Sequence, residues 1–167
     1  MDVAVAEKMA RELMQHHGLL RDGWRFVWGR GRRQFGLAQV GRITDPRTGY
    51  VTIDKVIKLS APLTKLNTVD EVRDTLLHEI AHALAGIEHG HDAHWQRMCK
   101  KIGARPERLV TDQAVMPSHR YHIRCTGCQK VIAKRDRRMA PARLKQAHCA
   151  LCGPTTRGKR ILEPANQ

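Results

Sequence analysis

The stretch NTVDEVRDTLLHEIAHALAG, residues 67–86, restricts this chain more than any other. Thr68 and Glu71 stand in the S/T-x-x-E relation of a capping box, which closes two backbone N–H groups at a helix start. Gly86 is a natural C-terminal stop, because glycine tolerates the left-handed turn that ends a helix. Between them, at about 100° per residue, Val69, Val72, Leu76, Ile80 and Ala83 form one apolar stripe. His78 and His82 fall roughly opposite that stripe, beside Glu71 and Ala85. The spacing therefore predicts a capped helix packed on a core, with two histidines turned toward a cleft or solvent.

HEIAH is an H-E-x-x-H pattern. Residues i and i+4 share one helix face, so two imidazoles can converge on one metal ion. Glu79 sits about 100° around the helix from His78, beside the position such an ion leaves open. Zinc lowers the pKa of a coordinated water to around 7, and a neighbouring carboxylate can take its proton as it attacks a carbonyl. A catalytic zinc takes three protein ligands. Candidates for the third are Glu88, His89, His91 and His94. Metzincin spacing, with histidine at the sixth residue after His82, fails because Glu88 stands there. His89 lies in the turn after Gly86. His94 falls within the next helix, beside Trp95. His91 precedes Asp92, the expected N-cap of that helix, from which a side chain can be aimed back.

Further on, Cys125-Thr-Gly-Cys128 and Cys149-Ala-Leu-Cys152 are separated by 20 residues. C-x2-C-x20-C-x2-C is a strong signal for a closed tetrahedral zinc site of four thiolates, structural because no position is left for substrate. His122 and His148 flank the pairs, but four cysteines suffice. The metal supplies folding energy that a short polar segment cannot gather by burial. Cys99 lies on an apolar helix stripe and reads as a core thiol. CxxC pairs fit a reducing compartment better than a disulfide framework.

The formal net charge is +14, unevenly distributed. Residues 1–117 hold 18 Lys/Arg against 14 Asp/Glu, and residues 118–167 hold 12 against 2. The C-terminal part therefore faces polyanions, and nucleic acid is the commonest inside cells. Between the cysteine pairs, Lys130, Lys134, Arg135, Arg137, Arg138, Arg143 and Lys145 stand against a single acid, Asp136. Such a surface would grip phosphates with strong salt dependence and no sequence reading. Tyr121 reads as packing against this module rather than as a base-stacking platform.

The remaining chain supplies a frame. Residues 2–17 have helical spacing through Val3, Ala6, Ala10 and Leu13, with Gly18 as a stop. GWRFVWGR (23–30) alternates like a half-buried strand, and 35–43 and 50–59 read as two more around the turn TDPRTG. A helix follows from Asp92 through Ile102, with Trp95, Met98, Cys99 and Ile102 on one stripe. Residues 105–120, with two prolines, read as a linker. The fold class expected is α+β, divided into 1–115 and 116–167. No membrane span is expected, since no run of about 18 apolar residues occurs. The opening MDVAVAEKMARELMQHHG lacks the basic and apolar regions of a signal peptide. Cytoplasmic residence follows, in a bacterial cell or the host cell of a virus, nucleoid association included.

TLLHEIAHALAG followed by HDAHW resembles the SprT-like or Spartan family of zinc peptidases. Its signature is HExxH and then H-G-x-x-W/F, whose histidine is the third ligand. In this chain the second segment is His91-Asp92-Ala93-His94-Trp95, with Asp92 where glycine is usual. VTIDKVIKLSAPLTKLNTVDEVRDTLLHE is similar to the same family, and the resemblance spans about 35–155. It implies a small zincin-like domain with a C-terminal four-cysteine zinc ribbon. It also implies His78, His82 and His91 as ligands of a catalytic zinc and Glu79 as general base, while Asp92 in place of glycine keeps His94 as the other candidate. Cys125, Cys128, Cys149 and Cys152 would hold a second, structural zinc. The implied activity is endoproteolysis of DNA-bound or DNA-crosslinked proteins, promoted by DNA that is single-stranded or irregular, by a chain expected to be monomeric. Other readings are a nucleic-acid-binding regulator that keeps the site for its fold, a His-metal nuclease, and a peptidase that cleaves a transcriptional repressor. The intact Glu79 argues against the first. HExxH on a capped helix fits peptide better than phosphodiester hydrolysis, and no helix-turn-helix module accompanies the site.

Overall fold

A computed structural model describes residues 1–107, 114–146, 148–153 and 160–165. The chain divides into two compact units, Met1–Pro117 and Ser118–Gln167. Both mix helix and strand. Among the described residues no helix is long and apolar enough to cross a membrane.

In the first unit, α1 (Val3–His16) starts where the Asp2 carboxylate accepts from the N–H groups of Ala4 and Val5. Its buried residues are Ala6, Ala10 and Met14, two of them small enough to let a neighbouring helix approach. Met14, rather than Leu13, completes the buried row. The strands β1 (Trp24–Gly29), β2 (Gly36–Thr44) and β3 (Val51–Ser60) form one sheet in the order β1-β3-β2. β3 runs parallel to β1 and antiparallel to β2. A short helix, α2 (Ala61–Leu66), follows directly. The sequence reading did not include it. Its start is set by the Ser60 hydroxyl, which accepts from the Leu63 N–H, with Pro62 in the first turn.

The long helix α3 (Val69–Ala85) is capped by the Thr68 hydroxyl, which accepts from the Glu71 N–H, and ends at Gly86 with φ +102°. The Glu71 carboxylate lies 4.0 Å from the Arg105 guanidinium. Val72, Leu76 and Ile80 join Ala6, Ala10, Trp24, Phe26, Ala38, Ile57 and Leu59 in the main core. The expected single stripe is corrected in two ways. Val69 is 50% exposed. A second apolar row, Leu77, Ala81 and Ala85, packs against Trp95 and Cys99 of α4 (Ala93–Ile102). α3 is thus covered on two sides, and His78 is not on an open face but only 6% exposed. α4 has Asp92 as N-cap and ends at Gly103 in the left-handed conformation.

Residues 105–120 are not a free linker where they are described. The Asn67 side chain acts as a backbone mimic, its amide donating to the Val115 carbonyl at 3.0 Å and its oxygen accepting from the Val115 N–H at 2.7 Å. Arg105 pairs with Asp74. Residues 108–113 lie outside the described residues.

The second unit has β4 (Tyr121–Cys125), β5 (Val131–Arg135), α5 (Pro141–Gln146) and β6 (Arg160–Pro164). β4 is central, antiparallel to both neighbours. Its two CxxC turns share one geometry. Gln129 N–H donates to the Cys125 carbonyl, and Gly153 N–H to the Cys149 carbonyl, each at 2.8 Å. Both donors have positive φ, +61° and +77°.

Candidate active site and metal centres

His78 and His82 project from α3 one turn apart, and His91 reaches them from the loop before α4. The three Nε2 atoms form a triangle: 3.2 Å between His78 and His91, 3.2 Å between His82 and His78, and 3.3 Å between His82 and His91. A neutral imidazole has one N–H to give, and its direction cannot serve two partners at the corners of such a triangle. Three nitrogens 2.0–2.1 Å from a tetrahedral zinc would lie about 3.3–3.4 Å apart. The triangle therefore fits a metal and fits mutual hydrogen bonding poorly.

The electrostatics agree. Burial first, and then mutual repulsion with His82 and His91, pushes the His78 imidazolium down to about 3. Burial, then His91, lowers His82 to about 4. Both rings are neutral at pH 7, as a metal ligand must be.

His89 and His94 lie elsewhere. Their rings stack on each other at 4.3 Å. Asp92 organises this corner, accepting from the N–H groups of His94 and Trp95 and lying 2.9 Å from His89 Nδ1. Glu88 is not in the cluster of potential ligands. Asp92 in place of glycine thus caps α4 and engages the two histidines that stay out of the triangle.

Trp95 forms the wall behind the triangle. It is fully buried, 4.8 Å from the His78 ring, 4.6 Å from His91 and stacked on His82 at 5.1 Å. Its stripe position pointed to core packing, and its contact with all three rings was not anticipated.

Glu79 faces the strand β2. One carboxylate oxygen accepts from the Ala38 N–H at 2.7 Å. Burial raises its pKa to about 7, against the opposing pull of that N–H. β2 approaches so closely that a Cβ on Gly36 would lie 2.5 Å from Glu79 Oε1 and 2.8 Å from Thr75 Cγ2. Neither Gly36 nor Ala38 was singled out from sequence. A glycine inside a strand pattern was the available signal for a close approach. Glu79 and the three histidines share a cavity of about 580 Å³, walled by Phe35–Ala38, Thr75, Ile87 and Met116.

In the second unit the ligand atoms of Cys125, Cys128, Cys149 and Cys152 lie within 4.8 Å of one another. Cys128 and Cys149 sulfurs are 3.9 Å apart. Four sulfurs 2.3 Å from a tetrahedral zinc would be about 3.8 Å apart, so this set also fits the ion. Cys99 is a fully buried thiol in the first unit, pushed up to about 11 mainly by burial. The basic residues divide. Lys134, Arg135, Arg137, Arg138 and Arg143 line a cavity of about 570 Å³ with His119 and Asp136, and Lys130 and Lys145 do not. Tyr121 is half-buried at the start of β4.

Comparison with known proteins adds three findings. The model of the SprT-like family matches residues 6–122. The chain is similar to Germ cell nuclear acidic protein of Homo sapiens, 26% identical over 155 residues, covering 89% of this chain and 20% of that protein. It is also similar to DNA-dependent metalloprotease SPRTN of Xenopus tropicalis, 36% identical over 69 residues, covering 40% of this chain and 15% of that protein. The chain spans a fifth or less of the length of these relatives.

Proposed function

The chain belongs to the SprT-like family, and from that membership we propose that it is a zinc-dependent endopeptidase acting on DNA-associated proteins. The observation that carries this reading is the triangle of three imidazole nitrogens at tetrahedral spacing, beside a buried carboxylate in one cleft. The first unit is then a zincin-like peptidase domain, in which His78, His82 and His91 hold the catalytic zinc. Cys125, Cys128, Cys149 and Cys152 hold a structural zinc. When bound, the catalytic zinc would supply Lewis acidity toward a water and a substrate carbonyl.

The chain's own groups do the rest. Glu79 takes a proton from the attacking water and passes it to the departing amine. In the metal-free fold burial holds its pKa up to about 7, and a bound dication would draw it down from there. The Ala38 N–H fixes one oxygen, so the carboxylate keeps its direction toward the cleft. Trp95 holds the three imidazoles in register and keeps water from their inner side. β2 is an outer strand of its sheet and walls the cleft, so an extended peptide can add to its edge through backbone hydrogen bonds.

Two things support the DNA-associated substrate. One relative is a DNA-dependent metalloprotease. The second unit concentrates cations around one cavity, a surface suited to phosphates without base reading. The test is cleavage of a basic DNA-binding protein by zinc-loaded chain, with and without single-stranded DNA, beside Glu79→Gln. Cleavage stimulated by DNA and abolished in the variant is expected. Cleavage indifferent to DNA would keep the peptidase and remove the DNA role. DNA binding without cleavage by either form would favour a binding protein instead.

A further inference from the structure

Arg160 opens β6 in the second unit, and it is only 6% exposed. Its Nε, Nη1 and Nη2 all lack a hydrogen-bond partner among the described residues. A buried cation in that condition is strongly unfavourable unless an opposite charge lies close. Residues 118–167 hold two acidic side chains, Asp136 and Glu163. Both are engaged: Asp136 lies 3.4 Å from His119, and Glu163 is paired with Arg124 at 2.8 Å. Neither is hydrogen-bonded to the Arg160 guanidinium, which leaves room for a compensating anion of another kind.

The sheet register supplies one. Arg160 is paired directly with Cys125 across β4 and β6. Opposite residues of an antiparallel pair point to the same face, with Cβ atoms about 4.5–5.5 Å apart. Cys125 is fully buried and its sulfur belongs to the four-cysteine cluster. A divalent ion on four thiolates carries a net charge of minus two. The register places Arg160 directly across from one of the residues that carry that surplus.

We infer that Arg160 is the charge partner of the four-cysteine metal centre, a non-ligand residue on which the metal affinity of that centre depends. The inference rests on the cysteine cluster and is independent of the peptidase reading. It has a corollary. Without metal, Arg160 is a buried charge with nothing to balance it, so the burial cost it carries in both forms is offset only in the loaded one.

The test uses the full chain titrated with Co²⁺, whose thiolate-to-metal charge-transfer absorption reports the cysteine site and not the histidine site. Arg160→Met should weaken Co²⁺ binding there about 10- to 100-fold, the range for residues that support ligands from behind. Arg160→Lys, which keeps the charge, should recover most of the loss. Arg160→Met keeps the length and apolar stem of the side chain while removing its charge, so the two variants together separate charge from packing. Co²⁺ bound by Arg160→Met as tightly as by the parent overturns the inference. So does an Arg160→Lys variant no better than Arg160→Met. Unchanged Co²⁺ affinity with weakened single-stranded DNA binding would assign Arg160 to a phosphate instead.

Discussion

Glu79 and the two helix histidines are pushed in opposite directions by the same burial, and that gives the site a pH signature. Glu79 titrates near 7 in the fold and near 4.5 when exposed. Between those values the folded chain keeps a proton that the unfolded chain has released. The stability Glu79 allows is therefore fully present below pH 4.5 and is lost as pH rises through 7, by up to about 3 kcal/mol. His78 and His82 titrate near 3 and 4 in the fold and near 6.5 when exposed. For them the unfolded chain binds the extra protons, so stability falls as pH drops below 6.5. In metal-free protein, Glu79→Gln should remove the alkaline loss and leave the acid loss intact. Urea denaturation with chelator at pH 5 and pH 9 measures this. Relative to the parent, the variant should gain about 2–3 kcal/mol between the two, and a difference that does not change with pH would show that Glu79 is not buried as described. Trp95 is the second residue-scale case. Trp95→Ala should cost about 3–5 kcal/mol and loosen the triangle, read as lost zinc affinity at the histidine site. Trp95→Phe should recover most of that affinity.

Among the elements, β2 and α3 meet at the closest approach in the site. Gly36→Ala places a methyl group where Glu79 Oε1 and Thr75 Cγ2 now sit. It should cost about 1–3 kcal/mol of stability. It should also lower kcat far more than it changes KM or zinc content, because the histidines are not displaced. A proportional loss of zinc would instead mean that α3 itself had moved. The elements differ in how far the sequence revealed them. α3 and α4 were legible at both ends, because Thr68, Gly86, Asp92 and Gly103 state their boundaries chemically. The three strands were legible from alternation and the TDPRTG turn. α2 was not, because six residues are too few for a helical period to emerge. The second buried row of α3 escaped because alanines 81 and 85 read equally well as surface helix formers, and only the docking of α4 distinguishes the two. Within the site, HExxH spacing pointed directly at His78, Glu79 and His82. The Ala38 N–H comes from a segment distant in the chain that no local spacing encodes, and the spacing that marks Trp95 four residues after His91 does not say that its ring touches all three imidazoles.

At the scale of the whole chain, two units of different charge carry two metal-ligand clusters of different chemistry. The first is nearly balanced, and its histidine cluster opens on a cleft. The second is strongly basic, and its cysteine cluster offers four ligands and no open position. On the proposed function, this division means that nucleic-acid affinity and hydrolytic chemistry can be altered separately. The five cations around the second unit's cavity set a scale for the first. For a single strand, each phosphate contact contributes about 0.7 to the slope of log affinity against log salt, so five would give a slope near −3.5. Changing Arg137 and Arg138 together to Gln should reduce that slope by about 1.4 and weaken binding to all sequences alike. Zinc content and cleavage of a peptide substrate without DNA should stay at the parent's level. Binding isotherms on single-stranded DNA at several salt concentrations measure the slope. A slope unchanged in the double variant would place the phosphate contacts away from this cavity. A preserved slope combined with lost peptide cleavage would mean that the basic unit serves the catalytic one through something other than nucleic acid.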